Sequence, residues 1–298
     1  MKEQIRTLLA RRGAILLAHN YQPPEIQDLA DLCGDSLELS IRAAATEAET
    51  IVFCGVGFMA ETAAILSPRK TVLLPRSDAG CPMADMITPE ALAARKAELG
   101  DVPVVTYVNS TAAVKALSTI CCTSANALAV VESLEAETVL MGPDRNLALN
   151  TAARTRKRII PWSGCCPYHD RLTAADVARA RAAHPEALFL AHPECRPEVV
   201  ALADAALSTS GMLRYVARSE RRAFIIGTEM GILYPMQKEN PDKRFYPASD
   251  QMICDDMKKI TPADVLACLQ EMRGRVVVPE SIRRRAHAAV QRMIRLAA

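Results

Sequence analysis

The residues best suited to chemistry in this chain are cysteines set far apart. Cys81, one of the neighbours Cys165 and Cys166, and Cys254 recur at intervals of 85 and 88 residues when the second neighbour is counted. Ten cysteines in 298 residues would suggest disulfides in a secreted chain, but Met1-Lys-Glu-Gln-Ile-Arg6 lacks a basic-then-apolar leader, so we expect a cytoplasmic protein. In a reducing compartment such thiols read as metal ligands or catalysts. No Cys-x-x-Cys occurs, and with it goes the close pairing that structural zinc uses. Three dispersed thiolates instead suit a [4Fe–4S] cubane with one iron the chain does not bind, able to polarise a hydroxyl, carboxylate or carbonyl oxygen. Cys33 and Cys268 sit in helical patterns and Cys54 closes an apolar strand, so packing accounts for them. Cys121 and Cys122 lie on a Ser/Thr-rich segment that could line a site. Between Cys165 and Cys166 the residues alone do not choose.

A second group follows apolar runs. His19 and Tyr21 come after the run 14–18, Tyr107 and Asn109 at the end of 102–107, and His192 and Glu194 after 188–191. These types exceed what turns require.

The elements that must position these groups repeat. Nine strand signals fall in three sets of three, at 14–18, 51–54 and 71–75, then 102–107, 138–141 and 158–162, then 187–191, 205–207 and 223–226. A period in the eighties predicts three α/β units with helical crossovers. Residues 1–85, 86–170 and 171–275 form the units, each with one of the spaced cysteines, and 276–298 forms a C-terminal helix on the body. Because ligands bind at the carboxyl ends of parallel strands, a site between the three units is expected. The polar segment 238–244 reads as a surface connection, or as a loop able to close over substrate. The arginines of 281–296 read as a solvated helix face.

Composition agrees with an α/β core. Half the residues are hydrophobic and only 4% are aromatic, which suits Ala-rich helices over aliphatic strands. A formal charge of +2 with both signs interspersed gives no footprint for nucleic acid. No apolar run approaches the roughly 20 residues of a membrane span.

Taken in order, the motifs resemble a known family. Leu17-Ala-His-Asn-Tyr-Gln22, Gly34-Asp-Ser36, Phe58-Met-Ala-Glu61 and Ala79-Gly-Cys-Pro-Met-Ala-Asp85 come first, then Tyr107-Val-Asn-Ser-Thr111 and Trp162-Ser-Gly-Cys-Cys-Pro-Tyr-His169. His192-Pro-Glu-Cys195, Ser208-Thr-Ser-Gly211, Gly227-Thr-Glu229 and Cys254 with Met257-Lys-Lys-Ile-Thr261 complete the set. The chain is thereby similar to the quinolinate synthases of NAD biosynthesis. The resemblance implies three αβα units about a pseudo-threefold axis and a [4Fe–4S] cluster held by Cys81, Cys166 and Cys254, which selects Cys166 over Cys165. It implies condensation of iminoaspartate with dihydroxyacetone phosphate to quinolinate, with an aspartate-oxidising enzyme as a source of iminoaspartate. On the same ground His19, Tyr21, Tyr107 and Glu194 serve proton transfer. Ser36, Met59, Asn109, Ser124, His169, His192, Ser208, Thr209 and Thr228 contact substrate.

Overall fold

A computed structural model describes residues 1–296. It holds three four-stranded parallel sheets, each in the spatial order second, first, third, fourth. The first sheet contains β1 (Ala14–His19), β2 (Leu32–Gly34), β3 (Thr50–Cys54) and β4 (Thr71–Leu73). The second contains β5 (Val104–Tyr107), β6 (Ile120–Cys122), β7 (Thr138–Gly142) and β8 (Arg158–Pro161). The third contains β9 (Leu188–Ala191), β10 (Ala205–Ala206), β11 (Ala223–Gly227) and β12 (Arg244–Pro247). Helical crossovers return the chain between parallel neighbours, as such pairing demands. The middle strands β3 and β11 are buried along their whole length and β1 along all but its first residue. Continuous aliphatic runs suit that double-sided burial.

All nine predicted strands exist, but their matching across the sets differs from the expectation. In the first two sheets the signals were the first, third and fourth strands. In the third sheet they were β9, β10 and β11, so an edge strand stood in for the missing β12. The edge strands β2 (Leu-Cys-Gly) and β6 (Ile-Cys-Cys) are not predicted because neither holds the run of aliphatic residues that marks the equally short β4 (Thr-Val-Leu) and its continuation Leu74. Cys33, expected in a helix, lies on β2.

The segment 238–244 is the end of helix Leu233–Glu239 and the connection into β12. The last helix, Glu280–Arg295, buries Ala286, Ala289, Val290 and Met293 against β6 and the helices Gly57–Leu66 and Ala112–Lys115. Before it the chain passes beside β4, where Leu74 N donates to Gly274 O at 2.8 Å and Leu73 bridges Arg275. Gly274 has φ +78°, and a Cβ there would stand 2.1 Å from Leu74 O, so only glycine serves.

Candidate active site

In a sheet of order 2-1-3-4 the connections diverge at the first and third strands, and the crevice beyond their carboxyl ends is the natural binding place. Those ends carry the chemistry here. His19 ends β1 and Tyr21 follows it, Tyr107 ends β5, and His192 and Glu194 follow β9, all lining one cavity with Cys81, Cys166 and Cys254.

His19 and His192 occupy the same place in two sheets and make the same local contact. Nδ1 of His19 accepts from Tyr21 N at 3.1 Å, and Nδ1 of His192 from Glu194 N at 3.3 Å. An accepting Nδ1 leaves the ring hydrogen on Nε2. Burial lowers both imidazoles to about 3, with Lys258 adding to the effect at His19, so both stay neutral.

The groups between them form a continuous relay. Tyr107 donates to Glu194 Oε1 at 2.5 Å. His169 Nδ1 lies 2.8 Å from Glu194 Oε2, and its Nε2 lies 2.8 Å from Thr228 Oγ1. Thr228 is 2.5 Å from the Tyr21 hydroxyl, to which Thr209 donates at 3.0 Å. With Nδ1 of His169 donating to the carboxylate and Nε2 accepting from Thr228, Thr228 in turn accepts from Tyr21. Each hydroxyl hydrogen in the relay then has one acceptor. Burial opposes ionisation of Glu194, but the facing imidazoles and the bonds from His169 and Tyr107 outweigh it and hold the carboxyl below its usual range. Burial raises both phenols, and the Glu194 carboxylate raises Tyr107 further.

Ser36 and Thr209 line the cavity at the starts of the ten-residue helices Ser36–Ala45 and Thr209–Arg218. Two helix N-termini with hydroxyls suit phosphate or carboxylate. Asn109 and Ser124 also line it, and the buried Oδ1 of Asn109 has no hydrogen-bond partner. Ser208 caps the second helix through Gly211 N and sits 3.4 Å from Asp35. Met59 is buried behind Gly55, and its neighbour Phe58 forms the wall. The sequence reading passed over Asp35, Val56, Phe58 and Glu229, which also line the cavity. All but Val56 stood within the quoted motifs, so position in a motif was their only signal.

The three thiols are free. Burial lifts Cys81 to about 12, Cys254 to about 11 and Cys166 well above the ordinary thiol; Cys81 and Cys166 are pushed further by Glu194 and by another of the three. As thiolates in this shielded cavity the three would repel one another and Glu194, so a bound cation is what favours their ionisation, which is the chemistry of a metal site. Cys166, His169 and Glu194 alone could hold a single ion, their donor atoms lying within 4.8 Å of one another. That choice would leave Cys81 and Cys254 idle and break the relay. The thiol set instead fits a cluster with three protein ligands. Cys165 does not line the cavity, and its N–H points to Met86 Sδ at 3.4 Å.

Three like α/β sheets enclosing thiols, imidazoles, phenols and a carboxylate in one cavity make up an enzyme, not a scaffold. Residues 3–295 match the family described as quinolinate synthetase A protein, and the chain belongs to that family. It is 58% identical over 294 residues to a quinolinate synthase of Geobacter metallireducens, covering 99% of this chain and 97% of that protein. It is 55% identical over 296 residues to a quinolinate synthase of Methanoregula boonei, covering 99% and 98%. A quinolinate synthase of Dehalococcoides mccartyi is 54% identical over 296 residues, with the same coverage.

Proposed function

We propose that this chain condenses iminoaspartate with dihydroxyacetone phosphate to give quinolinate, phosphate and two waters. The observation that carries the reading is one cavity shared by three free thiols and an unbroken acid–base relay. Family membership supports it. Cys81, Cys166 and Cys254 hold a [4Fe–4S] cluster, which when bound supplies a Lewis acid for the oxygen that leaves as water.

The protein's own groups do the rest. Glu194 takes a proton from substrate carbon or nitrogen and returns it in a dehydration, and the hydrogens of Tyr21, Thr228 and His169, all directed toward Glu194, pass inward to it in sequence. Tyr107 returns one to the Glu194 side. His19 and His192 offer Nε2–H to substrate oxygens, while Ser36, Ser208 and Thr209 receive phosphate or carboxylate at the helix starts. Asn109 and Ser124 orient the acid, and Met59 backs the wall from behind. The units 1–85, 86–170 and 171–275 meet at a pseudo-threefold centre that is the site, with the helix Glu280–Arg295 of the expected segment 276–298 packed on the body and residues 297–298 outside those described. The chain works in the cytoplasm, and an aspartate-oxidising enzyme supplies iminoaspartate. No helix among the described residues is long and apolar enough to cross a membrane.

The test is anaerobic turnover with both substrates. Quinolinate and phosphate should appear in equal amounts and only when dihydroxyacetone phosphate is present. Dehydration of a hydroxy acid without it would make the chain a hydro-lyase instead.

A further inference from the structure

The loops that deliver the three thiols share one backbone contact. Gly57 N donates to Ala79 O at 2.9 Å, Arg145 N to Gly164 O at 2.7 Å and Met230 N to Met252 O at 2.8 Å. In each case the acceptor stands two residues before the cysteine, and the donor stands just beyond the third strand of its sheet. The residue preceding each donor is therefore equivalent in the three sheets. In the first it is Val56, in the second Asp144 and in the third Glu229.

Asp144 and Glu229 are 1% exposed and act alike. Asp144 Oδ1 accepts from Leu147 N at 2.6 Å, capping its own helix, while Oδ2 accepts from Cys166 N at 3.0 Å. Glu229 Oε2 accepts from Gly231 N at 2.7 Å, and Oε1 accepts from Cys254 N at 3.1 Å. Lys258 pairs with Glu229 and also donates to the Tyr21 carbonyl. A carboxylate has acceptors on both oxygens, so it satisfies two N–H groups at once; an amide faces one of them with its own NH2. Val56 can do neither. On the first loop Asp256 Oδ1 accepts from Gly80 N at 3.1 Å in its stead.

We infer that Asp144 and Glu229 are matched positioning residues: each fixes the peptide of one ligand cysteine and so aims its sulfur into the shared cavity. The inference rests on the reading of Cys166 and Cys254 as cluster ligands. It also explains two buried carboxylates that take no part in the relay.

The substitution Asp144→Asn isolates the cysteine contact, because asparagine caps a helix about as well as aspartate while turning NH2 toward Cys166 N. Asp144→Ser keeps the cap on a side chain too short to reach the cysteine. Glu229→Gln repeats the design on the third loop. Each variant is reconstituted anaerobically with iron and sulfide. The readouts are the melting temperature of the iron-free protein, the absorption and paramagnetic spectra of the loaded one, and the rate of iron release to a chelator. Iron-free Asp144→Asn should melt close to the parent, and the loaded variants should release iron about 10- to 100-fold faster with altered spectra. Folded Asp144→Asn, or Asp144→Ser where Asn fails to fold, together with Glu229→Gln, releasing iron at the parent's rate with the parent's spectra would overturn the assignment. A parent that takes up no iron removes the cluster reading and this inference with it.

Discussion

The two walls of the cavity are built on opposite plans. On the relay wall, side chain bonds to side chain from Thr209 through Tyr21, Thr228, His169 and Glu194 to Tyr107, so each polar group is oriented by its neighbours. On the thiol wall, loops are held through their backbones, by Asp144, Glu229 and Asp256, and the sulfurs are left available. The walls touch where Cys166 Sγ lies 3.2 Å from His169 Nδ1. A wall of linked polar groups moves protons; a wall with spare donor atoms awaits a ligand. The two functions should therefore be separable by mutation.

The largest expected effect comes from breaking the thiol wall. Cys81→Ala, Cys166→Ala and Cys254→Ala should each lose both the cluster chromophore and quinolinate formation, whereas Cys165→Ala keeps both. A normal cluster spectrum in Cys166→Ala would move the ligand to its neighbour. Breaking the relay alone comes next. Glu194→Gln should lower kcat by about 10²- to 10⁴-fold, the usual range for a lost general base, with iron content unchanged; loss of the cluster in that variant would mean the walls are not independent.

Two smaller effects sharpen the contrast. Asp256→Ala should speed iron release less than Asp144→Asn does, since Asp256 holds Gly80 and not the cysteine itself and is partly exposed. Equal rates would place the first loop on the same footing as the others. The last concerns stability. With its imidazole lowered to about 3, folded His19 stays neutral while the unfolded form takes a proton below about pH 6.5. Its contribution is present above that pH and is lost as pH falls. His19→Asn should flatten the dependence of unfolding free energy on pH between 6.5 and 4.5 by about 1.4 kcal/mol per unit. Parallel curves for parent and variant in urea titrations would show that the burial penalty at His19 is absent.

Much of this is legible in the amino-acid sequence. Long aliphatic runs such as those at β1, β3 and β11 declared themselves, because strands buried on both faces read as continuous hydrophobic segments. The spacing of Cys81, Cys166 and Cys254 carried the repeat. The edge strands β2, β6 and β12 stayed unpredicted, as did the register that makes Val56, Asp144 and Glu229 equivalent. Gly142-Pro-Asp144 has the composition of a turn and Gly227-Thr-Glu229 stands only as a motif, and the task their carboxylates share appears only when the strand ends are superposed. The relay was hidden for a related reason. Tyr21 and Thr228 are 207 residues apart, and no local periodicity reports a contact across sheets.

One titration tests the central claim most directly. An anaerobically purified sample is stripped of iron stepwise with a chelator and then reconstituted, while visible absorbance and quinolinate formation are followed together. The account predicts that the two fall in proportion and return together. A colourless, iron-free sample with full activity would contradict it.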